Sequence, residues 1–303
     1  MALQSSGAIS LANIQTEFGG SNPISLSEYY RGGPYVTDNN TGVPTSGVIQ
    51  LDDFYGAVKQ FQFTISTSYT TTQNLRSLAL AAGWNGTDPV RATIGSGVYI
   101  YGTYGSAGAQ SYGSNGVAGG SGSEALTISG SFPGGLILVN NGTLYGGGGA
   151  GGNGGSTGNG GNGGAGGAGL LVSTAITVFN YGTIAGGGGG GGGGPAWGAG
   201  GIVRSGGGGG GGSAYGRGGY GGDWEGIDGG TGSIGGLTTG GAGGSSDQGL
   251  NTGGTGGALA TAGSSGNNPA GGSPGAGGAA GPAVSGNGFI TWSATGTRIG
   301  ALV

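Results

Sequence analysis

Alternating and helical patterns of apolar residues occur between residues 61 and 141. Residues 61–65 alternate apolar and polar side chains, which predicts a strand. Residues 98–101 and 125–128 are short β-branched and aromatic runs that also predict strands. Residues 74–82 place apolar side chains on one helical face and are followed by glycine. This part of the chain is therefore predicted to be a small α+β connecting domain.

A longer pattern recurs 40 residues apart. Residues 138–146 consist of an apolar run, an Asn-x-Gly turn, Thr with an aliphatic residue, and then glycine. Residues 178–186 repeat the same order. Both copies predict a strand, a tight turn and a second short strand that leads into a glycine run.

The glycine runs themselves have a period of three. Every third residue from Gly146 through Gly167 is glycine, and a second register is nearly all glycine as well. Three residues per turn is the period of the polyproline II helix, which has no internal hydrogen bonds and therefore needs neighbours. A flexible linker does not require this regularity, so we predict a packed bundle of polyglycine II helices. Compactness requires turns, predicted at residues 156–157, 195–205, 213–228, 237–239, 245–252 and 262–270.

The N-terminal region contains short imperfect repeats. Residues 24–32 and 49–56 share Ile-x-Leu, an acidic residue, two aromatic residues and glycine, and residues 6–11 resemble 46–51. Each unit predicts an extended piece that enters a helical turn, and each is too short to bury a core alone. The region is either a small irregular domain or an attachment segment, and we favour attachment. The candidate attachment residues are Ile9, Leu11, Ile24, Leu26, Tyr29, Tyr30, Ile49, Leu51, Phe54 and Tyr55.

Composition and charge limit the classes of function that the chain can have. The chain has 92 glycines in 303 residues, nine prolines, no Cys, no His, and 7 basic against 11 acidic residues. The absence of Cys and His excludes disulfides, thiolate nucleophiles and the commonest metal ligands and general bases. So few basic residues argue against nucleic-acid binding, and so few prolines argue against collagen. We expect no enzyme, no catalytic residue, no metal and no cofactor, and we interpret Asp223, Glu225 and Asp228 as a solvated turn rather than a calcium site.

No apolar run is long enough to span a membrane, and residues 1–10 lack the features of a secretory signal. We therefore expect no membrane insertion.

Aromatic and charged residues are concentrated in the predicted turns of the glycine region. Aromatic side chains and Arg dominate recognition hot spots, so these residues are candidates for receptor binding. The alternative is that they cap the ends of the bundle as a small core. The candidates are Trp197, Arg204, Tyr215, Arg217, Tyr220, Trp224 and Asp247.

These observations point to resemblances with two known kinds of protein. The pattern in residues 6–11, 24–30 and 43–56 resembles a leader found on many tailed-phage virion proteins. Residues 142–288 resemble the polyglycine-sandwich domain of the tail-fibre-tip adhesins of T-even-type phages. These resemblances imply a virion tail protein, made in the host cytoplasm, that touches a bacterial outer-membrane protein or surface glycan through loops. Other phage tail proteins would bind the N-terminal region, and the oligomeric state stays open, with a trimer among the options.

The predicted fold is mostly β and irregular, with small N-terminal attachment and α+β regions followed by a packed bundle of polyglycine II helices. The predicted domains are residues 1–60, 61–141 and 142–303, the last ending in a strand. The predicted function is a phage tail receptor-binding protein. The alternatives are a structural fibre or collar component without receptor binding, and an ice-binding glycine-rich protein.

Overall fold

The computed structural model describes residues 2–110, 112–199, 202–225, 228–246, 249–268 and 272–303. Strands and irregular segments dominate these residues, as predicted. The helices are α1 (Leu11–Phe18) and α2 (Leu75–Ala81). The strands are β1 (Phe61–Ile65), β2 (Gln73–Asn74), β3 (Val90–Ile94), β4 (Tyr99–Tyr101), β5 (Leu126–Ile128), β6 (Leu136–Asn140), β7 (Thr143–Tyr145), β8 (Leu170–Val172), β9 (Ile176–Asn180), β10 (Thr183–Ala185), β11 (Trp197–Ala199), β12 (Ile202–Arg204), β13 (Val284–Ser285), β14 (Ile290–Ala294) and β15 (Thr297–Ile299).

Three parallel sheets enclose one apolar core. Their strand orders are β1-β3-β6-β9-β14, β4-β7-β10-β15 and β2-β5-β8-β13. From β3 onward, the chain visits the first, second and third sheet in that order on every turn, as in a solenoid. Inward side chains from all three sheets, such as Leu138, Leu144 and Leu170, are fully buried together. Burial of these side chains stabilises the sheets.

The 40-residue repeat in the sequence is the register of two neighbouring turns. Leu138 pairs with Val178, Asn140 pairs with Asn180, and Thr143 pairs with Thr183. The predicted strand, Asn-x-Gly turn and second strand are all present in both copies. The strands predicted at 61–65, 98–101 and 125–128 and the helix at 74–82 are confirmed within one or two residues.

Glycine-rich segments leave the solenoid at the same point in successive turns. Residues 102–124, 146–169 and 186–283 each lie between a strand of the second sheet and a strand of the third sheet. We call the described residues of these three segments the glycine array. Because parallel strands stack the exits and the returns, the segments of the array lie side by side.

Backbone hydrogen bonds in the array repeat every three residues and point in three directions. Within residues 146–155, one register of amides donates to carbonyl oxygens of 185–194 at 2.9 Å. The second register donates to 117–123 at 2.8–2.9 Å, and the third donates to 214–220 at 2.8–3.0 Å. The central segment therefore satisfies its amides with three different neighbours.

Close approach, rather than left-handed backbone, accounts for most of these glycines. A Cβ added at Gly146 would lie 1.9 Å from the Gly167 carbonyl oxygen, and one at Gly190 would lie 1.9 Å from that of Ala150. No neighbouring backbone could shift far enough to accept such a contact without losing its own hydrogen bonds.

The chain reverses direction at most of the predicted turns. A reversal that the sequence did not predict lies at 258–260, where the Thr261 amide donates to the Ala258 carbonyl oxygen and Ala260 has φ of 51°. Gly263 and Gly266 then donate to Gly278 and Gly275, so these two segments are antiparallel and the chain reverses again between residues 266 and 275. This second reversal overlaps only the end of the turn predicted at 262–270, of which residues 269 and 270 lie outside the described residues.

Residues 2–60 form a unit with its own core. Ile14, Phe18, Tyr29 and Phe54 are buried together, separately from the core of the sheets. The predicted helical turns after each Ile-x-Leu are present as 3₁₀ turns at 26–29 and 51–54 and as α1, which Ser10 caps by accepting from the Asn13 amide. The predicted border between residues 141 and 142 stays a prediction, although strands on both sides of it pair in the same sheets.

Candidate functional site

The glycine array has two different ends. At one end its segments continue directly into β-strands, as Gly146 does after β7. At the other end they are joined by turns, and the residues next to these turns hydrogen-bond to one another: Gly155 donates to Gly194, and Gly206 donates to Gly155, both at 2.9 Å. We call this second end the tip. It comprises the described residues of 112–115, 156–158, 195–205, 223–228, 246–251 and 268–273.

Two short antiparallel strands, β11 and β12, lie at the tip. Trp197 pairs directly with Arg204 across these strands, so the two predicted site residues are neighbours. Both side chains are half-buried. The Asn251 side-chain amide donates to the Pro195 carbonyl oxygen at 3.0 Å, which ties the chain just before β11 to the next turn.

A stacked aromatic pair joins two other turns of the tip. The rings of Tyr112 and Trp224 lie 5.5 Å apart and are inclined by 23°. Tyr112 also forms a parallel bridge with Asp223, and its side chain is 64% exposed. The sequence pointed to Trp224 but not to Tyr112, because 111 residues separate the two in the chain and no local pattern indicates that their rings meet. Trp224 is half-buried by this stack. It therefore contributes to packing, and part of its ring is exposed to solvent.

Two carboxyl groups meet beside this pair. Partial desolvation, followed by a hydrogen bond and like charge from Asp228, raises the pKa of Asp223. The Asp223 amide donates to the Ser156 hydroxyl at 3.1 Å, which anchors the turn. Within the described ranges, no group of three or more acidic, His or Cys side chains could hold a metal ion.

The remaining predicted residues do not gather at the tip. Gly148 donates to Ala214 near the sheets, Gly151 to Arg217, and Gly154 to Tyr220 near the tip. The segment 214–222 therefore runs the length of the array, and its side chains are spread along it. Tyr215, Arg217 and Tyr220 are exposed.

Tyr215 instead joins a row of tyrosines at the sheets. Tyr101 stacks on Tyr99 at 4.6 Å and on Tyr145 at 5.6 Å, and the Tyr215 ring lies 6.2 Å from it. Burial, and then the neighbouring Tyr215, Tyr145 and Tyr99, raise the pKa of Tyr101 to about 12. The sequence identified β4 as a strand, but it did not reveal that its tyrosines meet a turn more than 100 residues away.

Arg217 contacts another tyrosine. Its guanidinium lies over the Tyr104 ring, 5.6 Å from the centroid. These two residues, with Tyr215 and Ile234, line a shallow pocket of about 250 Å³ on the side of the array.

The last candidate receptor residue, Asp247, lies outside the described residues. Among the attachment candidates, Tyr29 and Phe54 are buried in the core of residues 2–60, with ring centroids 6.4 Å apart. Tyr55 is 40% exposed, and its hydroxyl donates to the Gly7 carbonyl oxygen. The others are half-buried in the same unit: Ile9, Leu11, Ile24, Leu26, Tyr30, Ile49 and Leu51. An attachment role for these residues stays a prediction, and it involves only the half-buried and exposed members of the set.

Among the described residues, no helix has the length and apolar character needed to cross a bilayer. No curated protein matches the chain at a significant level. A chain in the crystal structure of the gp37–gp38 adhesin tip complex of the bacteriophage S16 long tail fibre has the same fold. Its TM-score is 0.54 at 22% identity, and the match covers 99% of this chain and 100% of that one. The sequence profile of the phage tail fibre adhesin Gp38 family matches residues 60–303. The chain therefore belongs to the Gp38 family of phage tail fibre adhesins.

Proposed function

We propose that this protein is a phage tail receptor-binding adhesin that contacts a bacterial surface receptor through the turns of its tip. In this proposal the glycine array is a bundle of polyglycine II helices that holds the tip rigidly. Residues 2–60 attach the protein to another tail fibre component. The tip, where turns from distant parts of the chain converge, carries the proposal.

The hydrogen bonding of the array supports the polyglycine II assignment. Amides of successive registers address different neighbours, which is the pattern that a helix with three residues per turn requires. Among the described residues, none in 146–169 or 186–194 has positive φ, so the backbone there keeps the hand of polyproline II. Close Cα–H···O contacts would accompany such packing.

The chemistry of the tip supports recognition. It presents Trp197, Arg204, Tyr112 and Trp224 on turns that a hydrogen-bonded scaffold fixes in place. Aromatic side chains supply large contact area at a low entropic cost, and Arg supplies directed hydrogen bonds. Turns on a rigid scaffold can change sequence without disturbing the fold, which suits an adhesin.

The separate core of residues 2–60 supports an attachment role. This unit stands outside the family match at 60–303, so it can serve a different partner from the rest of the chain. The similar fold from phage S16 comes from a complex of two tail fibre proteins. By analogy, we expect this chain to bind a tail fibre protein as well.

Binding of the fluorescently labelled, full-length protein to intact bacteria tests the function. The tip variant carries Tyr112→Ala and Trp224→Ala. The matched control is Tyr181→Ala, because Tyr181 is as exposed as Tyr112, at 64%, but lies at the turn between β9 and β10. We expect saturable binding to a sensitive strain, at least tenfold weaker in the tip variant and unchanged in the control.

Two outcomes would contradict the proposal, and one control accompanies them. Absence of binding to any strain, with normal incorporation into virions, would favour a purely structural component. Equal binding by the tip variant and the wild type would remove the site from the tip. Circular dichroism and thermal melting of each variant establish that a loss of binding is not a loss of folding.

A further inference from the structure

The outer face of the glycine array carries side chains in rows. Gly232 donates to Gly219 and Gly235 donates to Gly216, both at 2.9 Å, so the segments 214–222 and 229–236 are antiparallel neighbours. This register sets Arg217 opposite Ile234. Three residues further along each segment Tyr220 faces Thr231, and after another three Asp223 faces Asp228. We call each facing pair a row, and successive rows are about 9 Å apart.

The row nearest the sheets forms the lateral pocket already described. Two tyrosine rings and the Ile234 side chain supply apolar walls, and Ile234 is 61% exposed. The Arg217 guanidinium forms the remaining wall against Tyr104. At about 250 Å³ the pocket is smaller than those that take drug-sized ligands, and it suits a single ring.

The charge in this pocket is uncompensated within the described ranges. There, the Arg217 guanidinium forms no ion pair, and its N–H groups have no hydrogen-bond acceptor. The acidic pair Asp223 and Asp228 lies two rows away, at about 19 Å along the array, beyond the Debye length in physiological salt. An exposed guanidinium with free donors favours a planar carboxylate or a phosphate.

We propose that the pocket formed by Tyr104, Tyr215, Arg217 and Ile234 binds a sugar ring that carries a carboxylate or phosphate group. The anion contacts Arg217, and the ring lies against Tyr215 and Ile234, since aromatic and aliphatic walls favour the apolar face of a sugar. The proposal rests on the proposed function only in that a bacterial surface would supply the sugar. It gives the protein a second contact, on the side of the array and apart from the tip.

Titration of the full-length protein with small sugars tests the proposal directly. The probes are glucuronic acid, glucose 6-phosphate, glucose and inorganic phosphate, each followed by ligand-observed NMR. We expect about millimolar affinity for one or both anionic sugars and at least tenfold weaker binding of glucose and of inorganic phosphate. Binding of only one anionic sugar identifies the anion as carboxylate or phosphate.

Matched variants localise the binding. Arg217→Gln should weaken the anionic sugar at least tenfold. Arg298→Gln serves as the control, because Arg298 also lies over an aromatic ring, that of Trp292 at 4.7 Å, but outside the pocket. This control should leave the affinity unchanged.

Equal binding of glucose and the anionic sugars would overturn the proposal. So would binding of inorganic phosphate as tight as that of glucose 6-phosphate, no binding of either anionic sugar at 20-fold the expected Kd, or normal binding by Arg217→Gln. The adhesin function would stand or fall separately, by the attachment of the tip variant to bacteria.

Discussion

The side chain of Asn140 donates a hydrogen bond to that of Asn180 at 2.8 Å, and both residues are fully buried. They occupy the same position in consecutive turns of the solenoid. The Asn180 side-chain amide donates to the Thr295 carbonyl oxygen at 2.8 Å, and the Asn140 side-chain oxygen accepts from the Gly142 amide at 3.1 Å. We call these linked hydrogen bonds the Asn ladder. These bonds therefore join the corners at which the turns containing β6, β9 and β14 move from the first sheet to the second.

Removal of one rung should destabilise the solenoid. Asn180→Ala leaves the Asn140 amide and the Thr295 carbonyl without partners, at a cost of about 1–3 kcal/mol for each group that stays buried. We expect a clear fall in the midpoint of thermal unfolding. Tyr181→Ala, one residue further along and exposed, should unfold close to the wild type. Equal midpoints for the two variants would mean that the ladder carries no stability.

Two glycine substitutions should have opposite effects. Gly190→Ala places a Cβ 1.9 Å from the Ala150 carbonyl oxygen, so we expect a loss of about 3 kcal/mol or more, or failure to fold. A Cβ added by Gly288→Ala would have no atom within 4 Å. Since alanine also restricts the unfolded chain, we expect the free energy of unfolding to rise by less than about 1 kcal/mol. Chemical denaturation measures both. A harmless Gly190→Ala would contradict the close packing of the array.

The tyrosine row predicts a loss of stability at alkaline pH. The pKa of Tyr101 is raised from 10.0 to about 12 in the folded protein. Above pH 10 the unfolded chain releases this proton while the folded one keeps it, so stability falls as the pH rises from 10 to 12. Melting at pH 9 and pH 11 should show a larger loss for the wild type than for Tyr101→Phe. A loss of the same size in both would show that Tyr101 does not contribute.

Incorporation into virions and binding to bacteria should depend on different parts of the chain. Phe54 packs against Phe18 and Tyr29 in the core of residues 2–60, so Phe54→Ala should cost this unit about 3–5 kcal/mol. We expect reduced incorporation into virions with binding to bacteria retained, because the tip does not use this core. Val48→Ala is the control, since Val48 is 79% exposed. Loss of binding to bacteria in Phe54→Ala would place receptor contacts in residues 2–60.

Local patterns in the sequence predicted much of the fold. The repeat that ends in Gly146 and Gly186 predicted the strand, tight turn and second strand of both copies, and these copies pair in parallel register as two turns of the solenoid. The period of three anticipated lateral hydrogen bonding, because only glycine lets backbones approach so closely. The closed, three-sheet arrangement was not predicted, since nothing local states which strands share a sheet.

The candidate site was harder to predict, because residues that are close in the sequence are far apart in the fold. Tyr215 and Trp224 are nine residues apart, yet an extended glycine segment carries the second about 28 Å from the first. Conversely, the ring of Tyr112 meets that of Trp224 across more than 100 residues. The turns had to be placed in three dimensions before the tip and the lateral pocket could be told apart.

Adsorption of phage particles is the most direct test of the tip as the receptor-contacting surface. Particles that carry Tyr112→Ala and Trp224→Ala would be compared with wild-type and Tyr181→Ala particles on a sensitive strain, after equal incorporation of the protein is verified. We predict an adsorption rate at least tenfold lower for the tip variant and unchanged for the control. Wild-type adsorption by intact particles with the altered tip would contradict the account.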